Sequence, residues 1–444
     1  MAGPRLVCPV QTPSGDTMSD IHNKKNKRAS GSHLLHRILG IVLLSLSLLP
    51  VAQAQSPDGL HWVTTWSASP SSLPPGMLPE EARGDAYQDQ TVRMIAHTSI
   101  GGDMVRVRIA NTHGNKRLFV GSASIALQAQ DSAVEERSLT RLTFAGERSI
   151  AIPRGGFVIS DPVAFSVPVM GNLSVSLYLP EASGTPTTHS TAFQRNYVSA
   201  AGDHSMSADF EATETLAMWQ YLTAIDVGRY DDISAIVTLG DSITDGWGST
   251  ENANQRWPNF FAQRLLNDPN VRDFAVVNAG LSGNRVLHEN SPRFGENLLA
   301  RFERDVLALS GVSHIVLLEG INDIGMGRAG TVEEVSADEV IAGYRQIILR
   351  AHDRGLKIIG ATLTPFEGAA YYSDAGELKR QAINAWIRGS GEFDGIIDFE
   401  TPVRDPAHHT RLLPSFTADN LHPNDEGYRA MAEVVDLELF APDN

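Results

Sequence analysis

Along the chain the hydrophobic pattern changes period near residue 230. From Thr91 to about Asp203, apolar and polar residues alternate in short runs: Thr91–His97, Met104–Asn111, Phe119–Leu127, Leu139–Phe144, Phe157–Ile159, Val163–Val167 and Leu173–Leu179. Alternation with period two is the mark of half-buried strands. Gly, Pro, Asn and Asp punctuate the runs, as in the turn Gly101-Gly102-Asp103. Upstream, the segment 56–90 reads as a first strand around Trp62 and Trp66 followed by a long surface stretch. Glu211–Tyr230 reads as a linking segment that returns to the sheet. With no amphipathic helix of ordinary length, residues 55–230 are expected to form an all-β sandwich or jelly-roll-like domain.

Beyond 230 the pattern alternates between buried runs and helical periods. Strands are expected at Ile233–Leu239, Phe274–Asn278, His314–Leu318, Lys357–Leu363 and Gly395–Phe399. Helical patterns fall between them at Trp257–Leu266, Asn297–Leu309, Ser336–Asp353 and Gly376–Gly389, with a last one from about Asn424 to Leu439. Alternating strand and helix implies βαβ units. Residues 231–444 are therefore expected to be an α/β domain, a parallel sheet between two helical layers.

The N-terminus departs from both patterns. Lys24, Lys25, Lys27, Arg28 and Arg37 precede Ile38–Leu49, a run apolar except for Gly40, Ser45 and Ser47, and then Pro50 and Ala52-Gln53-Ala54. This is the layout of a secretory signal with a small-x-small cleavage site after Ala54. Met18 is an alternative start, since the first 17 residues add nothing a signal requires. A membrane anchor is the rival reading, but a run of 12 residues is short against the ~20 a spanning helix needs. The expectation is an exported protein, periplasmic or extracellular, with no stable membrane insertion after cleavage.

Composition narrows the chemistry. Cys8 is the sole cysteine and lies upstream of the cleavage site, so the mature chain has no disulfide, thiol nucleophile or thiolate metal site. The chain holds 36 Lys/Arg and 52 Asp/Glu, of which six and two lie in residues 1–54, leaving a formal net charge of −20 over 55–444. Such a surface repels polyanions, which argues against nucleic-acid binding. No His/Asp/Glu spacing suggests a metal and no Gly-rich loop with Lys suggests a nucleotide, so no cofactor is expected.

Four short motifs sit at or just past predicted strand ends or before the last helix. They are Gly240-Asp241-Ser242, Asn278-Ala279-Gly280-Leu281-Ser282-Gly283-Asn284-Arg285, Glu319-Gly320-Ile321-Asn322-Asp323 and Asp419-Asn420-Leu421-His422-Pro423. A serine hydroxyl needs a base to become a nucleophile. His422 is the best-placed base, and Asp419, three residues upstream, is close enough to fix its tautomer. Pro423 suits the first position of the last helix, with His422 at the helix entrance. Each motif alone has an ordinary reading as a strand-to-turn or helix cap. Taken in order, over about 233–440, they resemble the SGNH superfamily of GDSL-type esterases and lipases, and the wording around them is similar to its arylesterase and acylhydrolase branch.

That resemblance implies a catalytic triad of Ser242, Asp419 and His422. It also implies an oxyanion hole made of the backbone N–H groups of Ser242 and Gly280 and the side-chain amide of Asn322. The elbow Gly-Asp-Ser differs from the Gly-x-Ser-x-Gly of α/β-hydrolases, as does the order of the site residues. The expected activity is hydrolysis of carboxylic esters through an acyl-enzyme, on a small-molecule or carbohydrate substrate such as a short acyl or acetylated-sugar ester. An acyltransferase using the same site is the near alternative. A carbohydrate-binding or surface-interaction protein with a vestigial site is the distant one. Among other polar residues, Asp241, Asp245 and Asp323 read as structural. Arg285 is a candidate substrate contact, Phe366, Tyr371 and Tyr372 are candidates for a pocket wall or core, and His408-His409 reads as exposed loop.

Overall fold

The computed structural model describes residues 59–72 and 86–441, apart from 270, 272, 273, 290 and 328. The expected leader over 1–54 lies outside the described residues.

The parallel half grows from Ser234–Gly240, seven residues that are all buried. A strand buried on both faces reads as a continuous apolar run, and Ala235-Ile236-Val237-Thr238-Leu239 is such a run. Phe274–Gly280 pairs with it on one side and Val312–Leu318 on the other, and Lys357–Ala361 and Gly395–Ile397 extend the sheet. All four pairings are parallel. In strand order the sheet runs second, first, third, fourth, fifth, so the chain reverses direction of travel at the first strand. Open α/β sheets place ligands at this kind of switch point, outside the carboxyl ends of the strands. Gly240 lies opposite both Gly280 and Leu318, so the segments that follow these three strands leave the same edge side by side.

The helices are Trp257–Asn267, Ala337–His352, Asp374–Gly389 and Asp425–Glu433, with shorter ones between. Two expectations are corrected here. Asn297–Leu309 is not one helix: an α-turn at Leu298–Phe302 passes into a π-turn at Glu303–Leu307. The last helix begins at Asp425, capped by Asn424 through Glu426 and Gly427, so Pro423 precedes the cap. It ends at Glu433, and a separate 3-10 turn covers Leu437–Phe440.

The first half is built of antiparallel strands. One sheet orders His61–Ser67, Leu222–Arg229, Gly102–Ala110 and Phe157–Ile159, with Val163–Val167 also on Gly102–Ala110. A second orders Ala212–Leu216, Asn196–Ala201, Gln90–His97, Asn172–Leu179, Ser122–Gln130 and Ala133–Val134, with Thr140–Leu142 on Ser122–Gln130. The segment read as a linker over 211–230 is itself strand: Ala212–Leu216, Trp219–Gln220 and Leu222–Arg229.

The two halves share one hydrophobic core and hydrogen-bond across their seam. Phe274–Gly280 is an edge strand, and an uncovered edge is a liability. Here Ser99 Oγ accepts from Val276 N–H at 3.2 Å and Ser67 Oγ donates to the Asn278 carbonyl at 2.8 Å. Thr64 N–H donates to the Ser310 carbonyl at 3.0 Å, and Thr64 Oγ1 accepts from Ser310 N–H at 2.9 Å. Asp226, nearly buried, accepts from Thr64, Arg106 and Ser310 together.

This seam predicts the behaviour of residues 231–444 expressed alone. The fragment should lack a sharp thermal transition and should aggregate, because it exposes the edge strand and the core face that the strand His61–Ser67 packs against. Circular-dichroism melting and light scattering check this; a soluble fragment that melts cooperatively near the temperature of the whole chain would contradict it.

Candidate active site

Ser242 opens a four-residue helical turn, Ser242–Asp245, directly after the first parallel strand. The turn is tight because Gly240 carries no Cβ: one placed there would lie 2.3 Å from the Leu318 carbonyl oxygen and 2.3 Å from Thr244 Oγ1. Asp241 caps the turn by accepting from Ile243 N–H at 2.9 Å. Ser242 Oγ lies 2.8 Å from His422 Nε2, and His422 Nδ1 lies 2.7 Å from Asp419 Oδ2. The other oxygen of Asp419 accepts from the backbone N–H groups of Leu421 and His422, at 3.0 and 2.9 Å. Partial burial works against the carboxylate, but its bond to the imidazole and these N–H groups hold its pKa well below the usual carboxylate range. Asp419 is therefore an acceptor only, and it fixes the imidazole with the proton on Nδ1 and the lone pair on Nε2 facing the serine.

Asn322, from the third motif, is buried near the same strand ends. Its Oδ1 accepts from Tyr371 O–H at 3.1 Å and its Nδ2 donates one hydrogen to the Asn284 carbonyl at 3.0 Å. The amide has two hydrogens, so one remains for a ligand. The Ser242 N–H is the first of its helical turn and has no acceptor within that turn. Gly280 is different. Its N–H donates to Asn278 Oδ1 at 2.8 Å, and a Cβ on it would lie 2.2 Å from Asp245 N. That glycine lets the strand and the serine turn approach, and its N–H is engaged within its own strand rather than offered to the site.

Other polar residues fall into place around this frame. Asp323 accepts from Val286 and Leu287 N–H and braces the loop after the second parallel strand; burial pushes its pKa up to about 6. Burial likewise raises Asp241 to about 7. Arg285 is turned inward, bonded to Glu333 and to the Glu289 carbonyl, and is not a surface substrate contact. Phe366 is core, Tyr372 bonds Asp374, and His408 and His409 sit exposed on a short strand, His408–Leu412, rather than in a loop.

Two groups of the site lie outside the four motifs. Arg301 is fully buried and reaches the Gly240 and Ala279 carbonyls, Asn284, Ser69, Asp305 and Glu319. His189, from the antiparallel half, reaches the last residue of the serine turn: its Nε2 lies 2.8 Å from Asp245 Oδ1 and its Nδ1 2.9 Å from the Ser69 carbonyl. Thr191 Oγ1 and both Ser282 N–H and Oγ–H donate to the other oxygen of Asp245. Both nitrogens of His189 face acceptors, so both must carry hydrogen and the ring is an imidazolium. Burial pulls its pKa down, but the Asp245 carboxylate outweighs burial and the net shift is upward. Burial raises Asp245 too, and His189 with the three donors brings it below its ordinary value.

Among the described residues no group of three or more His, Cys, Asp or Glu is placed to hold a metal ion, and no helix is long and apolar enough to cross a membrane.

Residues 238–430, which contain all of these motifs, match the GDSL-like Lipase/Acylhydrolase family. Among solved structures, the chain is similar to a GDSL-like lipase from Bacteroides thetaiotaomicron at 22% identity, over 46% of this chain and 87% of that one, with a TM-score of 0.36. It is similar to an acetyl xylan esterase at 21% identity, over 45% and 96%, with a TM-score of 0.35. A third is an alpha/beta hydrolase enzyme from the metagenome of Lake Arreo, Spain, at 20% identity, over 47% and 94%, with a TM-score of 0.36. No curated protein matches the chain.

The buried His189–Asp245 pair carries a pH signature. Because the folded-state pKa of His189 is raised above its unfolded value of about 6.5, its contribution to stability is complete below that value and is lost as pH rises through the folded pKa. His189→Ala should destabilise the protein by roughly 3–5 kcal/mol at acidic pH, since it strands a buried carboxylate. The gap in melting temperature between wild type and variant should narrow toward alkaline pH. A gap that stays constant with pH would contradict the charged state assigned to His189.

Proposed function

We propose that a chain carrying a GDSL-like domain over 238–430 is a serine hydrolase of carboxylic esters that works through an acyl-enzyme. The observation that carries the reading is the relay from Ser242 Oγ to His422 Nε2 at 2.8 Å and from His422 Nδ1 to Asp419 Oδ2 at 2.7 Å. Nucleophile, base and orienting carboxylate are joined in the order that acyl transfer needs.

In the resting state Ser242 Oγ–H donates to His422 Nε2. As Oγ attacks the ester carbonyl, His422 takes the proton and becomes an imidazolium, which the ionised Asp419 stabilises. The carbonyl oxygen becomes an oxyanion. The Ser242 N–H and the remaining hydrogen of Asn322 Nδ2 are the donors available to it, and neither needs to reorganise at that moment. Collapse of the intermediate breaks the bond to the leaving oxygen, which takes the proton from Nε2. Water then attacks the acyl carbonyl as His422 takes its proton, and the second intermediate collapses to the acid as His422 returns that proton to the departing Ser242 Oγ. Asp419 never changes protonation state.

The substrates we propose are neutral short-acyl or acetylated-carbohydrate esters, in keeping with a net charge of −16 for the whole chain. We also propose export, supported by the basic and apolar run and the Ala52-Gln53-Ala54 site; N-terminal sequencing of protein recovered outside the cytoplasm should begin at Gln55.

Ser242→Ala and His422→Ala should each lower kcat by about three orders of magnitude or more, and the double variant should be little worse, because the pair acts as a unit. Losses that add would contradict the relay. Asn322→Ala should lower kcat by roughly 10²–10³ with KM nearly unchanged, since its free hydrogen serves a charge that exists only in the transition state. A rise in KM with kcat intact would make Asn322 a substrate-binding residue instead.

A further inference from the structure

The catalytic imidazole has an aromatic neighbour that the relay does not use. The Trp247 ring lies 5.8 Å from the His422 ring, centroid to centroid, at an interplanar angle of 45°. Trp247 is 38% exposed, although tryptophan is on average a well-covered side chain. Its backbone is fixed from both sides: the N–H donates to the Ser242 carbonyl at 2.9 Å and the carbonyl accepts from Tyr428 O–H at 2.7 Å. The ring is thus partly open to solvent beside the site, and its main chain holds it there.

A second ring supports it from the antiparallel half. Phe193 meets Trp247 edge-on, 5.7 Å between centroids at 90°. Phe193 has a φ of +43°, a conformation that bulky side chains rarely adopt. Five consecutive residues hold it against the loop after the serine turn. Thr191 donates to Asp245, the Ala192 carbonyl accepts from Arg256, and the Phe193 carbonyl accepts from Asn252 N–H. Gln194 Nε2 and Arg195 N–H both donate to Asn252 Oδ1 at 2.8 Å. Local strain kept in place by so many neighbours is found where a side chain must be presented at a given angle.

The position of this pair says which part of an ester it meets. His422 Nε2 is the atom that returns a proton to the leaving oxygen, so the leaving alcohol stands on the His422 side of the serine. A group carried by that alcohol lies over Trp247. We propose that Trp247, with Phe193 at its edge, is the leaving-alcohol subsite, and that it takes a neutral alcohol bearing a ring with a flat apolar face. The C–H face of a pyranose and the face of an aryl ring share that chemistry, and an open-chain alkyl alcohol lacks it. The proposal rests on the ester-hydrolase reading and adds the alcohol half of the substrate to it.

The test compares cyclohexyl acetate with n-hexyl acetate, whose leaving oxygens are of similar basicity, in the full-length protein and in Phe193→Ala and Trp247→Leu. Each kcat/KM is expressed relative to wild type on the same ester, so intrinsic reactivity cancels. The loss on cyclohexyl acetate should exceed the loss on n-hexyl acetate by roughly tenfold in Trp247→Leu and by less in Phe193→Ala. Trp247→Phe, which keeps a ring, should restore most of the discrimination. Phenyl acetate and a methyl O-acetyl-glucopyranoside, run in the same way, separate an aryl from a sugar preference by which of them shows the larger differential loss. Should Phe193→Ala fail to fold, Phe193→Leu keeps the apolar volume and removes the ring. Equal losses on ring and open-chain esters in an active protein would overturn the subsite alone. A wild type that turns over none of these esters would strike the hydrolase reading and the subsite with it.

Discussion

One guanidinium holds the catalytic edge of this protein together. Arg301, with no exposed surface, donates to the Gly240 carbonyl at 3.0 Å and to the Ala279 carbonyl at 2.9 Å, the ends of the two strands from which Ser242 and the second motif depart. Its Nε donates to Asn284 Oδ1 at 2.7 Å, and the Asn284 carbonyl in turn receives the Asn322 amide. A lysine would offer a point charge at this place, whereas the planar fork of arginine addresses several fixed acceptors at once. Burying such a charge is costly unless it is paired. Asp305 supplies the pairing, and Arg301 and Arg304 together hold Asp305 in its ionised form against the burial that opposes it. Glu319 also faces Arg301, although burial first and the neighbouring Asp241 second push its pKa well above the ordinary value. The position of Ser242, the loop after the second strand and the Asn322 amide all depend on this one buried cation.

The antiparallel half is part of the same construction. Ser69 of that half touches both Arg301 and His189, and His189 closes on Asp245 at the end of the serine turn. The turn therefore has two anchors, one from the helix after the second parallel strand and one from a different sheet. A GDSL-like domain whose Ser242 turn is completed by a charge from outside the domain is not expected to keep its geometry when that outside part is removed. The same loop that carries Thr191 to Asp245 carries Phe193 to Trp247, so anchoring and the wall of the site are one structural unit.

What could be read from the sequence follows from what local pattern encodes. The parallel strands were legible because Ile233–Leu239 and His314–Leu318 are apolar runs too short for helices, and the motifs were legible because Ser242, Asn322, Asp419 and His422 sit next to them. Arg301 left a trace that period alone reveals: Leu298, Phe302 and Val306 mark a buried face, and Arg301 and Asp305 lie on it as a charged pair one turn apart. His189 left none, because its partner is 56 residues away in the helical turn that follows a different sheet, and neither neighbour signals it. The Gly280 donor implied by family resemblance failed on a contact no pattern shows, the Asn278 side chain folding back onto its N–H. Pro423 was read as the first helical residue, but Asn424 after it caps the helix by accepting from Glu426 and Gly427 N–H, so the helix begins at Asp425.

In the proposed reaction Ser242 carries the acyl group midway, and that species can be seen directly. Wild-type protein mixed with an activated acetate ester and quenched in acid within the first turnover should show, by mass spectrometry of its peptides, one added acetyl group on the peptide containing Ser242. In the presence of Asn322→Ala or of a slower deacylating acyl group the adduct should persist on that same serine. Turnover with no adduct at Ser242, or with the acetyl group on a different side chain, would contradict the account.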